Sequence, residues 1–295
     1  MYNDSTISFN CNQNYELWYE ILKYILNIAY LGIGLFLHLS ILKTILFVER
    51  KTFSRSSFFQ IYLLDSMTSI YLLLIDIFFT RLFMYIAPLC PIVGPFFWDP
   101  SYILKWLYAA MNHGRFTKSI AQIFMVLNRM SCVLTPTNYE NIWKKVLPIV
   151  RLATLLLPFC GTWNVWISRV YAFSTGSGFA MDYIKNMPWV RSSEFALSKN
   201  NFQASLSMFQ AIFIFTAFFF TIICTSITLY KLTILADRIK SAEKSLCFTS
   251  IFISCCFLIV GGIQITFVFC SACRGMEFYI MYMLSQWTFD VYNLG

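Results

Sequence analysis

Residues 119–130 read SIAQIFMVLNRM and residues 131–145 continue SCVLTPTNYENIWKK. An apolar helical run meets Asn128-Arg129-Met130, crosses a short stretch of small and apolar residues, and gives way to Pro136 and an aromatic-basic segment. That order of residues reads as the inner end of a membrane-spanning helix. A cation at the edge of an apolar helix is costly unless it snorkels, pairs or acts. Arg129 is therefore a candidate functional residue, with an interfacial anchor as the alternative.

Outward from that stretch the same apolar texture repeats. The chain is 58% hydrophobic, 19% aromatic and only 12% charged, against roughly 25% charged in an ordinary globular protein. Such a composition excludes a soluble domain. The expected fold is an all-α membrane protein, one seven-transmembrane-helix bundle over residues 1–295, with spans at about 22–48, 57–80, 103–135, 146–170, 204–232, 246–270 and 277–295. At about 20 residues per span no separate domain fits.

Charge sets the orientation. Asp4, Glu16 and Glu20 precede the first span, whereas Lys43, Arg50, Lys51 and Arg55 follow it. The N-terminus is then expected outside. Residues 1–20 lack a basic start and a cleavage site, so the first span acts as the signal and the N-terminus is kept. Asn3-Asp4-Ser5 is a glycosylation acceptor if that segment is lumenal. The net charge of +8 comes from cations at span ends rather than a basic block, so nucleic acid is excluded as a partner.

Span three is too long for a perpendicular crossing and is expected to tilt or project outward. The prolines Pro88, Pro91 and Pro95 mark an outer loop after span two. Residues 171–203, with Gly176, Gly178 and Pro188, form the longest connection and a candidate lid. ADRIKSAEKS, after span five, is expected to extend helices five and six inward. Gly261-Gly262 is a candidate hinge in span six. The last apolar segment, 277–295, covers roughly 28 Å as a helix. The seventh span is thus expected to end at or near the chain terminus, which makes a shortened isoform one expectation.

No serine-histidine-acid arrangement, glycine-rich phosphate loop or metal-ligand cluster occurs, and the two histidines, His38 and His113, lie far apart. Neither an enzyme, a metal nor a cofactor is expected. Cys11, Cys90, Cys270 and Cys273 fall in or near outward segments, where disulfides form. Three pairings of the four are open.

Arg129 to Pro136 is seven positions and Pro136 to Tyr139 is three, a spacing that resembles the inner end of helix three in rhodopsin-like receptors. The phrase NRMSCVLTPTNYENIWKK, with FFQIYLLDS at 58–66 and FDVYNLG at 289–295, resembles more closely the nematode serpentine receptors of class gamma, a chemoreceptor family. The resemblance implies a G-protein-coupled chemosensory receptor in the plasma membrane of a sensory neuron, with the cilium as its expected site. Its implied partners are a small-molecule ligand (an odorant or pheromone), a heterotrimeric G protein and the lipid bilayer, with a receptor oligomer also considered. Asn128, Arg129, Met130, Pro136 and Tyr139 are then the expected coupling residues, with Tyr230 as an active-state partner of Arg129. Asn128 stands where the wider superfamily has an acid and can only hydrogen-bond, so any resting latch is weaker. The alternatives are a signalling-deficient seven-helix partner or scaffold of another receptor and, less favoured, a channel or transporter.

Two further expectations concern binding. Asp65 and Asp290 fall at similar depth and resemble a polar pocket that holds water or sodium in rhodopsin-like receptors; otherwise they are two separately satisfied acids. Counted back from Arg129 at helical period, one face of span three carries Gln122, Lys118 or Ser119, Arg115, Met111 or Asn112, and Tyr108. No acid lies between Asp99 and Glu140 to neutralise Arg115 and Lys118 locally. Either the ligand is anionic, or acids from elsewhere (Asp182, Glu194 or Glu277) pair with them. The expected ligand pocket comprises Tyr108, Asn112, Arg115, Phe209, Phe267 and Tyr282, with Phe213 and Tyr279 completing its aromatic walls.

Overall fold

The computed structural model describes residues 15–48, 50–53, 56–92, 102–167, 170–174, 179–183 and 206–234, and, with gaps at 253, 256, 257, 264 and 285, residues 251–265 and 283–291. Asn3, Phe267 and Tyr282, and the lid beyond residue 183, lie outside the described residues.

Six helices organise what is described: α1 Leu17–Lys43, α2 Ser57–Ile75, α3 Tyr102–Leu134, α4 Tyr139–Leu156, α5 Pro158–Ile167 and α6 Leu206–Ile234. The described residues of 251–265 and 283–291 are helical as well. Four stretches are long and apolar enough to cross a membrane: Leu17–Val48, Ser57–Tyr85, Tyr139–Trp163 and Phe209–Lys231. Their bulky side chains face outward, with Phe36 69%, Phe47 77% and Phe219 60% exposed. In water such faces would drive aggregation; against lipid tails they are the solvated surface.

Helix α3 does not meet that apolar standard, and its place in the bundle is the reason. It packs against α2, α6 and α5, and at its C-terminal end against α4. Lys118, Gln122 and Asn128 on it are buried, so its polar side chains meet protein rather than lipid. Close approach of the neighbours relies on small residues. A Cβ on Gly114 would come within 2.9 Å of Leu72, and one on Gly161 within 2.9 Å of Phe116.

Helix α2 does not stop at its last α-helical residue. It widens into a π-helical turn, Asp76–Arg81, narrows again over Leu82–Tyr85, and ends at the 3-10 turn Ala87–Leu89. In a regular helix Asp76 and Arg81 would sit about 140° apart around the axis. The i→i+5 pattern of the wide turn brings both to the inside, where both are buried. The span expected to end at residue 80 thus carries an inward arginine one position past that limit.

Two features differ from expectation. Helix α4 starts at Tyr139, seven residues before the expected start of span four. The NYENIWKK segment, apart from its first residue, is therefore helix, with Glu140 in a first turn that favours acids. The chain is also not wholly α-helical. β1 Val170–Ser174 pairs antiparallel with β2 Phe179–Tyr183, Val170 opposite Tyr183 and Ser174 opposite Phe179. This hairpin closes over the N-terminal part of α3: Val170 packs with Leu104, Ala109, Phe116 and Val165, and Met181 lies against that cluster.

Candidate functional site

The polar stripe of α3 is the candidate site, and its members tie α3 to α2, α6 and the 283–291 segment. At the middle, Lys118 Nζ lies 3.5 Å from Asp65 Oδ2 with both side chains fully buried, and it donates a hydrogen bond to Ser69 Oγ. Gln122 Nε2 donates to Asp65 Oδ1 at 3.3 Å. Asp65 and Ser69 are four apart on α2 and so share one face. One lysine thereby clamps two successive turns of the neighbouring helix.

One turn further along, Arg115 Nη2 lies 4.0 Å from Asp76 Oδ1 and 3.2 Å from Gln286 Oε1, to which it donates. Its guanidinium also stands 4.6 Å from the ring centre of Phe289. A third pair joins Arg81 to Asp290, both buried. The Tyr30 hydroxyl of α1 donates to the same carboxylate, with Asn27 Oδ1 3.0 Å away. These contacts gather α1, α2, α3 and the 283–291 segment around one ionic core.

The core is electrically balanced. Asp65, Asp76 and Asp290 supply three negative charges; Lys118, Arg115 and Arg81 supply three positive ones. An unpaired charge at such depth costs several kcal/mol or more, so each acid and base depends on its partner. Of the two alternatives for Arg115 and Lys118, the structure has pairing with acids from elsewhere in the chain; the acids differ from those expected, being Asp76 and Asp65 across the interface with α2. The side chains of Asp182, Glu194 and Glu277 lie outside the described set. Asp65 and Asp290 likewise take separate cations, Lys118 and Arg81, rather than sharing one.

Toward its N-terminal end the stripe becomes neutral. Gln210 Nε2 on α6 donates to Asn112 Oδ1 at 2.9 Å, and Asn112 Nδ2 donates to the Tyr108 carbonyl oxygen at 2.8 Å. Arg115, Ser119, Gln210, Phe213, Ile214 and Phe289 surround a void of about 10 Å³, room for about one water. Of the expected pocket residues, Asn112, Arg115 and Phe213 converge near this void and half-buried Tyr108 adjoins them. Phe209 is 36% exposed on α6 instead. Gln210, Gln286 and Phe289 belong to the arrangement but are not suggested by the periodicity of α3.

At the C-terminal end of α3, hydrogen bonds replace charge. Asn128 Nδ2 donates to Ser57 Oγ at 2.9 Å, and the Tyr139 hydroxyl donates to Asn128 Oδ1 at 2.7 Å. Trp143 Nε1 donates to Ser131 Oγ at 2.6 Å, and Ser131 Oγ donates to the Asn128 carbonyl at 2.8 Å. Asn128 is buried and so holds the first turns of α2 and α4 to the last turn of α3. Half-buried Arg129 lies 4.8 Å from the Phe58 ring centre. Met130 is also half-buried, Pro136 is exposed in the turn between α3 and α4, and Tyr230 is 68% exposed near the end of α6.

Among the described residues no cluster of metal-ligating side chains occurs. Cys90 is in a disulfide, while Cys160, Cys224 and Cys255 are free thiols.

Comparison with known proteins follows the same lines. A family model described as "Srg family chemoreceptor" matches residues 24–295. Serpentine receptor class gamma-17 of Caenorhabditis elegans is 50% identical over 285 residues, 97% of this chain and 84% of that protein. Serpentine receptor class gamma-16 of the same organism is 46% identical over 292 residues, 99% of this chain and 85% of that one. Serpentine receptor class gamma-15 is 47% identical over 286 residues, covering 97% and 84% respectively.

Proposed function

The chain belongs to the Srg family of chemoreceptors, a multi-pass membrane receptor rather than an enzyme, and from that premise we propose that it signals through a heterotrimeric G protein. In this reading seven spans cross the plasma membrane of a sensory cell with the N-terminus outside. A small molecule enters from the outer side beside α3, α6 and the 283–291 segment. It exchanges hydrogen bonds with Asn112, Gln210 and Gln286 and so favours a bundle whose Asn128 end is open. Such a ligand acts by shifting a population between two conformations.

The observation that carries the reading is the buried polar stripe of α3, which runs from Asn112 to Asn128 and ties α3 to α6, to the 283–291 segment and, at several successive turns, to α2. A change of contact at one end is thereby coupled to the helix ends that hold Arg129. The charge balance also bears on the ligand. With Asp76 beside Arg115, an anionic head group is no longer required, and a neutral polar head on an apolar body suits the amide groups and the Phe213 and Phe289 rings.

The test is a screen of volatile and pheromone-like molecules on cells that carry the receptor, a G protein and a calcium reporter. Arg129→Ala is expected to reach the surface and bind an active compound normally while nucleotide exchange falls to background. Normal exchange by that variant would remove Arg129 from coupling. A ligand-gated current without G protein would favour a channel, and a response that appears only with a second receptor would favour a partner role.

A further inference from the structure

Helix α4 carries a cation where an apolar span should have none. Arg151 lies on the outer face of Tyr139–Trp163, a stretch apolar enough to cross a membrane. Its neighbours Ile149 and Leu152 are 66% and 59% exposed. Among the described ion pairs Arg151 has no carboxylate; its guanidinium donates to the neutral Gln60 amide oxygen of α2. An exposed intramembrane arginine with only a neutral partner lacks the counter-charge that normally keeps such a residue there.

Beside it lies a cleft of about 580 Å³ between α2 and α4, lined by Gln60, Tyr139, Glu140, Trp143, Lys144 and Arg151 among others. Positions 140, 144 and 151 follow helical period and face one side. Lys144 and Arg151 give two positive charges to the cleft and Glu140 one negative. Past the cleft the same sides of the two helices are apolar: Met67 and Tyr71 on α2 and Leu155 on α4 are 53%, 41% and 49% exposed. A polar, positive recess thus opens onto an apolar track.

We propose that this cleft binds the phosphate of an anionic membrane phospholipid, clamped between Arg151 and Lys144, with its acyl chains along Met67, Tyr71 and Leu155. A guanidinium offers two parallel donors to a phosphate, and a lysine adds a point charge. Depth selects the lipid over an acidic peptide. Arg151 lies seven residues, about 10 Å of helix rise, beyond Lys144, so a phosphate held by both sits next to the apolar part of the two helices, where acyl chains follow naturally and a peptide does not. The proposal rests on the membrane reading above only in placing the cleft at the inner leaflet; it needs neither an agonist nor a G protein. Tyr139 lines the cleft and bonds Asn128, so a bound lipid would brace the helix end next to Arg129.

The experiment titrates the full-length receptor in detergent with dioctanoyl phosphatidic acid, dioctanoyl phosphatidylcholine and inorganic phosphate, reading bound molecules by native mass spectrometry. One phosphatidic acid per chain should bind saturably, with phosphatidylcholine and free phosphate well below it. Lys144→Gln and Arg151→Gln should each weaken phosphatidic acid about fivefold, and Glu140→Gln should strengthen it. Lys145→Gln, an equal charge change one position off the cleft, should leave it unchanged. If Arg151→Gln does not give monodisperse protein, Arg151→Lys keeps the charge, loses the bidentate fork and should still weaken binding. Equal weakening by Lys145→Gln, binding of phosphatidylcholine as tight as phosphatidic acid, or free phosphate binding as tightly as the lipid would each overturn the proposal. None of these results bears on whether the receptor responds to an odorant.

Discussion

Between residues 115 and 122, α3 buries charge: Arg115 and Lys118 face Asp76 and Asp65 across the interface with α2. Between residues 128 and 131 the same helix carries neutral groups, buried Asn128 and half-buried Ser131, held by Ser57, Tyr139 and Trp143. The two regions differ in what happens when one partner is lost. Removing a charge from the first strands its opposite in a dry interior, whereas removing a hydrogen-bonding group from the second leaves a dipole that water near the helix ends can satisfy. The middle of the bundle is therefore costlier to disrupt than the Asn128 end.

The largest effect should come from Asp65→Asn, which leaves Lys118 without its acid. A loss of about 3–5 kcal/mol is expected from breaking a buried pair, read as loss of surface delivery and a lower melting temperature in detergent. The double change Asp65→Asn with Lys118→Met should recover most of it. If the single variant is no less stable than Asn128→Ala, the contrast between the two regions is wrong.

A smaller effect belongs to Asn128. Its replacement by Ala removes bonds to Ser57 and Tyr139 at about 1–3 kcal/mol, and basal nucleotide exchange should rise. Asn128→Asp should do the reverse, since an acid beside Arg129 adds an ionic contact to the resting arrangement. Unchanged basal exchange in both variants would separate the Asn128 network from signalling. Least should follow from Ser131→Ala, which deletes only a half-buried hydroxyl that accepts from Trp143 and donates to the Asn128 carbonyl. About 1 kcal/mol should appear as a small shift in melting temperature with agonist potency intact.

Much of this bundle was legible in the sequence. Span three was expected at 103–135 and α3 runs Tyr102–Leu134, because a long periodic pattern ending at Pro136 leaves little freedom. The start of α4 was missed because NYENIWKK is polar enough to read as loop, although a first-turn acid is a helix-start signal. The hairpin was missed inside a connection read as a lid. Its residues, VYAFS and FAMDY about a glycine-containing turn, do form a strand-turn-strand pattern.

The pairing of the ionic core was not legible in the same way. Arg115 and Lys118 were read against acids near them in sequence or in the outer loops, whereas α2 presents Asp65 and Asp76 at the right heights. The signal available was that α2 and α3 carry opposite charges on inward faces, with Asp65 and Asp76 eleven positions apart and so on one side of α2. Arg81 escaped even that count, since ordinary helical spacing puts it on a different side from Asp76.

The wide turn at Asp76–Arg81 also has a bearing on protein engineering. It acts as one extra residue spliced into a regular helix, so the stretch beyond it is out of phase with the stretch before it by about 100°, the angle of one residue. A chimera that joins α2 of this receptor to that of a relative within the turn carries the phase of one parent into the other. Junctions on either side keep both phases intact. Deleting a single residue there, such as Phe78, which is 56% exposed, would rotate Arg81 off Asp290 while leaving Asp65 with Lys118, and would do so by turning the helix rather than by removing a charge.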